Sequence, residues 1–180
     1  MTNGYEEAKA GRNILERLGE KIPGYRGFQD RELRRDVDRL QREYLSSELG
    51  RLKGVLRDKA RSYTDAGKIG ALTGFDRLDR QLDGLSQSVR FADYGATGLF
   101  DAVKIGEAEL ERVYQFDLAL LDDLEGFEAL IATVPAPGAE DPAPVLDRLQ
   151  QAVRALDGEW KQRETVISNI VQTGSAGQGA

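Results

Sequence analysis

Apolar residues three and four positions apart, sustained along stretches without proline, constrain this chain more than any other feature. Phe75, Leu78, Leu82, Leu85 and Val89 are separated by 3, 4, 3 and 4 positions. That repeat lays one apolar stripe along a helix and seats it against neighbouring helices. Leu110, Val113, Leu120, Leu124, Phe127, Ile131 and Val134 keep the same rhythm, and so do Leu149, Val153, Leu156, Trp160, Ile167 and Ile170. Prolines occur only at position 23 and in a group at 135, 137, 142 and 144, which leaves helices free to run long between them. With charged residues at 31% and apolar residues at 40%, the composition suits long helices with narrow apolar stripes.

The spacing predicts an all-α fold: an elongated antiparallel helical bundle of four to five helices, rich in coiled-coil packing. Residues 1–134 form the bundle, 135–144 a semi-rigid, extended Pro/Ala linker, 145–171 a C-terminal helix packing on the bundle, and 172–180 a disordered tail. Within the bundle a first helix covers 5–18, with Gly19 as its stop, and a Pro-Gly turn follows at 22–28. The longest helix covers 30–63. Its stripe runs through Leu33, Val37, Leu40 and Tyr44, then slips by one position to Leu45, Leu49, Leu52, Leu56, Ala60 and Tyr63, as at a stutter. A glycine-rich loop at 64–74 leads to a helix at 75–91, and a fourth helix covers 107–132.

Charge is divided unevenly. Residues 26–61 hold eleven Arg/Lys against seven Asp/Glu, a balance of +4, whereas 107–131 hold one basic residue against eight acidic ones, a balance of −7. Set side by side as antiparallel neighbours, within one chain or between chains, these helices attract and bias register. The net charge of −6 argues against nucleic acid as a partner. With no cysteine and no histidine, the chain cannot build thiolate metal sites, histidine-based zinc sites or serine–histidine triads. The missing cysteine fits a cytoplasmic protein. The N-terminal segment lacks the apolar run of a signal peptide, and no run of about 18 apolar residues spans a membrane. No cofactor, metal or small-molecule substrate is expected, and no enzyme activity.

Where the helical spacing breaks, at 89–105, aromatic, glycine and charged residues crowd together. Arg90, Phe91, Asp93, Tyr94, Gly95, Gly98, Phe100, Asp101 and Lys104 form a corner between helices that either plugs one end of the bundle or docks a partner. Gly95 and Gly98 have the look of a phosphate-cradling loop, but no Lys-Ser/Thr pair follows them. Tyr25, in the Pro-Gly turn, folds back onto the bundle or belongs to a binding loop. Asp117 stands where the stripe of its helix wants an apolar residue. It sits either at the rim or in the interior as a register-setting acid paired with Arg90 or Arg112. The acidic group Asp122, Asp123, Glu125 and Glu128 lacks calcium-loop spacing and reads as a solvated face.

The segments IPGYRGFQDRELRRDVDRL and RFADYGATGLFDAVK resemble the signature stretches of an uncharacterised family of small bacterial all-helical proteins, of the form IPGYRG(F/Y)…ELRR and R(F/Y)ADYGxxGLFDA. The resemblance brings no catalytic residues. It implies a neighbourhood of membrane-stress proteins such as the phage-shock and SPFH scaffold families. The expected function is a non-enzymatic interaction or scaffold protein, homo-oligomeric or bound to a protein partner. The alternative is an adaptor peripheral to the inner membrane that lays its basic second helix on anionic lipid.

Overall fold

The computed structural model describes residues 4–27, 34–92 and 106–176, with side chains from 13 to 170 of these. Among the described residues there are five α-helices and no strand: α1 (Gly4–Lys21), α2 (Arg34–Asp65), α3 (Leu72–Arg90), α4 (Glu107–Ala132) and α5 (Ala143–Ala176). At 1.5 Å per residue, α2 and α5 are each about 50 Å long, so the bundle is elongated.

The core of the bundle is made by α2, α3, α4 and α5. Leu45 and Leu49 meet Leu85 and Val89, and the same layer is completed by Leu120, Leu124, Leu156 and Trp160. The pairs α2/α3 and α4/α5 are antiparallel hairpins. Between hairpins, neighbouring helices run in the same direction. Arg51 reaches Glu128, Lys59 reaches the Val134 carbonyl, and the Tyr63 hydroxyl reaches the Pro135 carbonyl, so positions on α2 and α4 rise together. The basic and acidic helices are therefore parallel rather than antiparallel partners. The C-terminal helix packs on both α3 and α4.

Several boundaries move for local reasons. Gly19 does not stop α1, which continues to Lys21; the chain turns instead at Pro23-Gly24, where Gly24 takes φ +85°. The stretch expected as a loop at 64–74 is shorter. Helix α2 runs to Asp65, Gly67 takes φ +69°, and a 3-10 turn at Ile69–Ala71 leads straight into α3. The proline segment is folded into turns rather than extended. Ala139 N–H bonds the Ala136 carbonyl across Gly138 (φ +89°), and Asp141 caps Ala143, the first residue of α5. Helix α5 continues to Ala176, past the expected end at Val171.

Helix α1 packs on α4, with Leu18 and Ile22 fully buried. The turn after it is fixed by Gly27 (φ +78°). A Cβ there would meet Leu15 Cδ2 at 2.7 Å and the Tyr114 hydroxyl at 3.0 Å. Gly27→Ala is expected to cost about 1–3 kcal/mol, from left-handed strain and the clash. A thermal melt showing no loss would contradict this account of the turn.

Candidate functional site: a buried charged layer beneath one end of the bundle

On α2, α4 and α5 the inward stripe is continuous only if polar residues are counted in it. On α5 one buried stripe runs through Leu146, Leu149, Val153, Leu156, Trp160, Arg163, Ile167 and Ile170; on α4 one runs through Val113, Asp117, Leu120 and Leu124. On α2, Asp38 and Gln41 lie in line with Leu45, Leu49, Leu52 and Leu56. The slip read in the sequence of α2 is not a stutter. The inward positions there carry polar side chains, while Leu40 and Tyr44 are half-buried at the core's edge.

These residues meet in one layer. Arg163 Nε donates to Asp117 Oδ1 (2.6 Å), and Nη2 donates to Asp38 Oδ1 (3.1 Å) and Gln41 Oε1 (2.8 Å). The Tyr25 hydroxyl donates to Asp117 Oδ2 (3.0 Å). Nη1 of Arg163 reaches Glu164 (3.2 Å), and the guanidinium carbon lies 5.1 Å from the centre of the Trp160 ring. Arg163 and Asp117 are both 0% exposed. An isolated charge at such a site is expensive, so each member depends on the others.

Electrostatics follow from burial. Loss of water pushes the Asp117 carboxyl above its ordinary value, against the pull of Arg163, Gln41 and Tyr25. Burial also raises the Tyr25 hydroxyl well above its usual range, and the Asp117 charge adds to this. For Arg163, burial alone disfavours the charge, but Asp117 and Asp38 outweigh it and hold the guanidinium charged. Glu164 is raised, chiefly by burial. With no solvent-accessible acid or base in the layer's centre, the arrangement fixes which helix faces meet; Arg163 cannot touch a ligand from outside.

The layer extends to the end of α3. Arg42 Nε donates to Asp38 Oδ2 (2.8 Å), and Arg42 Nη1 donates to the Arg90 carbonyl (3.3 Å), one of the unpaired carbonyls that any helix C-terminus presents. Directly beyond, Phe91 is 70% exposed. The structure thus brings Tyr25 and Asp117 together and connects them through Arg163, Asp38 and Arg42 to the backbone of Arg90. The partner of Asp117 is Arg163, not Arg90 or Arg112; the Arg90 and Arg112 side chains are exposed. Asp93, Tyr94, Gly95, Gly98, Phe100, Asp101 and Lys104 lie outside the described residues.

No family model, curated protein or solved structure matches the chain. Its site is therefore read from its own geometry. The signal for Arg163 was present in the sequence as a gap: Trp160 and Ile167 are seven apart, a full heptad with its middle member polar.

The flanks of the bundle are laced with ion pairs. Asp122 takes Arg17 and Lys21, Glu125 takes Lys21, and Glu128 takes Arg51. On α2, Arg39, Arg51, Lys53 and Arg57 all pair with carboxylates of this chain. These basic side chains of α2 are thus each paired within the chain. Among the described residues no group of three or more acidic side chains is placed to hold a metal ion, and no helix is long and apolar enough to cross a membrane.

Proposed function

We propose that the chain is a non-enzymatic helical interaction protein that receives a protein partner at the end of the bundle carrying Arg90 and Phe91. One observation carries this reading: Phe91 is the sole exposed aromatic among the described residues, and it stands over the charged layer. The other exposed large apolar side chains among them are Val55 and Ile69, so the flanks offer no broad apolar face. A rigid end with one protruding aromatic is the kind of anchor that concentrates binding energy at protein interfaces. The layer beneath supports that role by fixing the C-terminus of α3 through Arg42.

Light scattering together with affinity capture from the native host tests this. Phe91→Ser is expected to weaken the captured complex, or the self-association, by about 30-fold, the equivalent of a 2 kcal/mol anchor. Its melting temperature should match the parent, since Phe91 makes little contact with the core. A strict monomer of 19.9 kDa that captures no protein would overturn the proposal, as would capture indifferent to Phe91→Ser.

A further inference from the structure

At the other end of α3, roughly 28 Å from Phe91, the α2–α3 turn, the 135–142 connector and the first turns of α3 and α5 enclose a cleft of about 600 Å³. That size lies within the range of small-molecule sites. Its floor is rigid and close-packed. Gly74 of α3 faces α5 so closely that a Cβ would meet Leu146 Cδ1 at 2.8 Å, and Tyr63 is held by its hydrogen bond to the Pro135 carbonyl. Because α3 and α5 are parallel, both point their N-terminal, dipole-positive ends into this one space.

The cleft is lined by charges of both signs without ion-pair partners. Lys68 and Arg77 make no ion pair among the described residues, and neither do Glu140 and Asp147, although all four border the same space. Asp141 is occupied in capping Ala143. At the floor lies Gln150, only 4% exposed. Its Oε1 accepts Arg77 Nη1 at 3.4 Å, while its Nε2 makes no hydrogen bond among the described residues. That amide N–H remains available to donate to a ligand acceptor in the cleft.

We propose that this cleft binds a small zwitterion with an apolar body, the chemistry of free amino acids and short peptides. The carboxylate accepts from Gln150 Nε2 and the Arg77 guanidinium, with Lys68 and the two helix ends adding positive potential. The ammonium group faces Glu140 and Asp147, and the apolar body lies on Leu146, Ala71 and the Tyr63 ring. A simple anion would answer Arg77 and Lys68 but leave the two carboxylates opposed to it; a simple cation would answer the carboxylates but face Arg77 and Lys68.

The test is NMR titration of the full chain with L-leucine, L-phenylalanine and the dipeptide Leu-Leu, beside N-acetyl-L-leucine and L-leucinamide. At least one of the first three is expected to shift the Gly70, Gly74 and Gly138 amides and the Gln150 side-chain amide, with Kd below about 1 mM. A stronger response to leucine, or to Leu-Leu, tells a free amino acid from a peptide ligand. The acetylated and amidated compounds should bind at least about tenfold more weakly, each having lost one charge. Arg77→Ala should weaken binding by about tenfold without moving the melting temperature. Gly70→Trp adds bulk where a Cβ meets nothing within 4 Å and the backbone is unstrained, and should abolish binding. No shift with any of the three free ligands overturns the proposal, as does equal binding of the acetylated or amidated compound. So does binding that survives both substitutions. Capture of a partner at Phe91 is independent of every one of these results.

Discussion

Arg163→Met is expected to destabilise the protein by about 3–5 kcal/mol at neutral pH, the cost of removing one partner from a buried ion cluster. For a chain of this length that is a fall in melting temperature on the order of 10 °C. Methionine fills much of the volume, so the loss is electrostatic rather than a cavity. Asp117 keeps only the Tyr25 hydroxyl, and Asp38 keeps Arg42. Two further measurements separate this account from a general packing defect. In the double variant Asp117→Leu with Arg163→Met, a large part of the loss should return, because two apolar side chains now face each other where a lone carboxylate stood. The penalty should also depend on pH with a definite sign. The Asp117 carboxyl is already raised by burial, and Arg163 is the strongest influence opposing that rise. Without Arg163 it rises further, and the native state holds its proton more tightly than the unfolded chain does. The stabilisation from that proton is fully present below about pH 4 and is lost as pH climbs through the raised native value. Arg163→Met should therefore approach the parent's stability in mild acid and diverge from it toward pH 8. A penalty that is flat with pH, or a double variant no better than the single, would count against a coupled layer.

The same residues show what hydrophobic spacing can and cannot reveal. Helix α4 was legible to its ends, and in α3 the buried residues are the five that set the repeat, Phe75, Leu78, Leu82, Leu85 and Val89. In both, inward positions are mostly apolar, so the pattern and the burial coincide. Helix α2 misled because Asp38 and Gln41 occupy inward positions, and a reading by apolarity shifts to Leu40 and Tyr44 instead. Asp117 was recognisable as a missing member of its stripe, but its partner was not. Arg163 lies 46 residues away on a helix reached through the proline segment, and a polar residue in one stripe does not say which other stripe answers it. Glycine count also misled at 64–74. Of those glycines only Gly67 uses a positive φ; Gly70 and Gly74 lie within helical turns, and Gly74 serves close approach to Leu146 rather than a bend. The cleft was invisible in sequence for a related reason, since its walls come from four separate segments with no shared spacing.

Trp160→Ala should be the second large loss, about 3–5 kcal/mol for an indole that is 1% exposed. Trp160 sits three residues before Arg163, and its ring underlies the guanidinium, a contact worth roughly 0.5–2 kcal/mol by itself. The site has little capacity to collapse. Its neighbours Leu45, Leu49, Leu85, Val89, Leu120, Leu124 and Leu156 come from all four core helices, and together with Trp160 they already surround a small void of about 10 Å³. Each is held by its own helix, so removing the indole should enlarge that void rather than close it. Two contrasts give the result its meaning. Trp160→Phe keeps most of the apolar volume and an aromatic face for Arg163, and should lose much less than alanine. In Trp160→Ala, an apolar cavity of this kind stays dry and accepts small apolar guests. Benzene at saturating concentration should therefore raise the variant's melting temperature and leave the parent's unchanged. A benzene-insensitive variant, or one whose loss falls below about 1 kcal/mol, would mean that the four helices can close over the gap, and that the rigidity ascribed to the layer beneath Phe91 is absent.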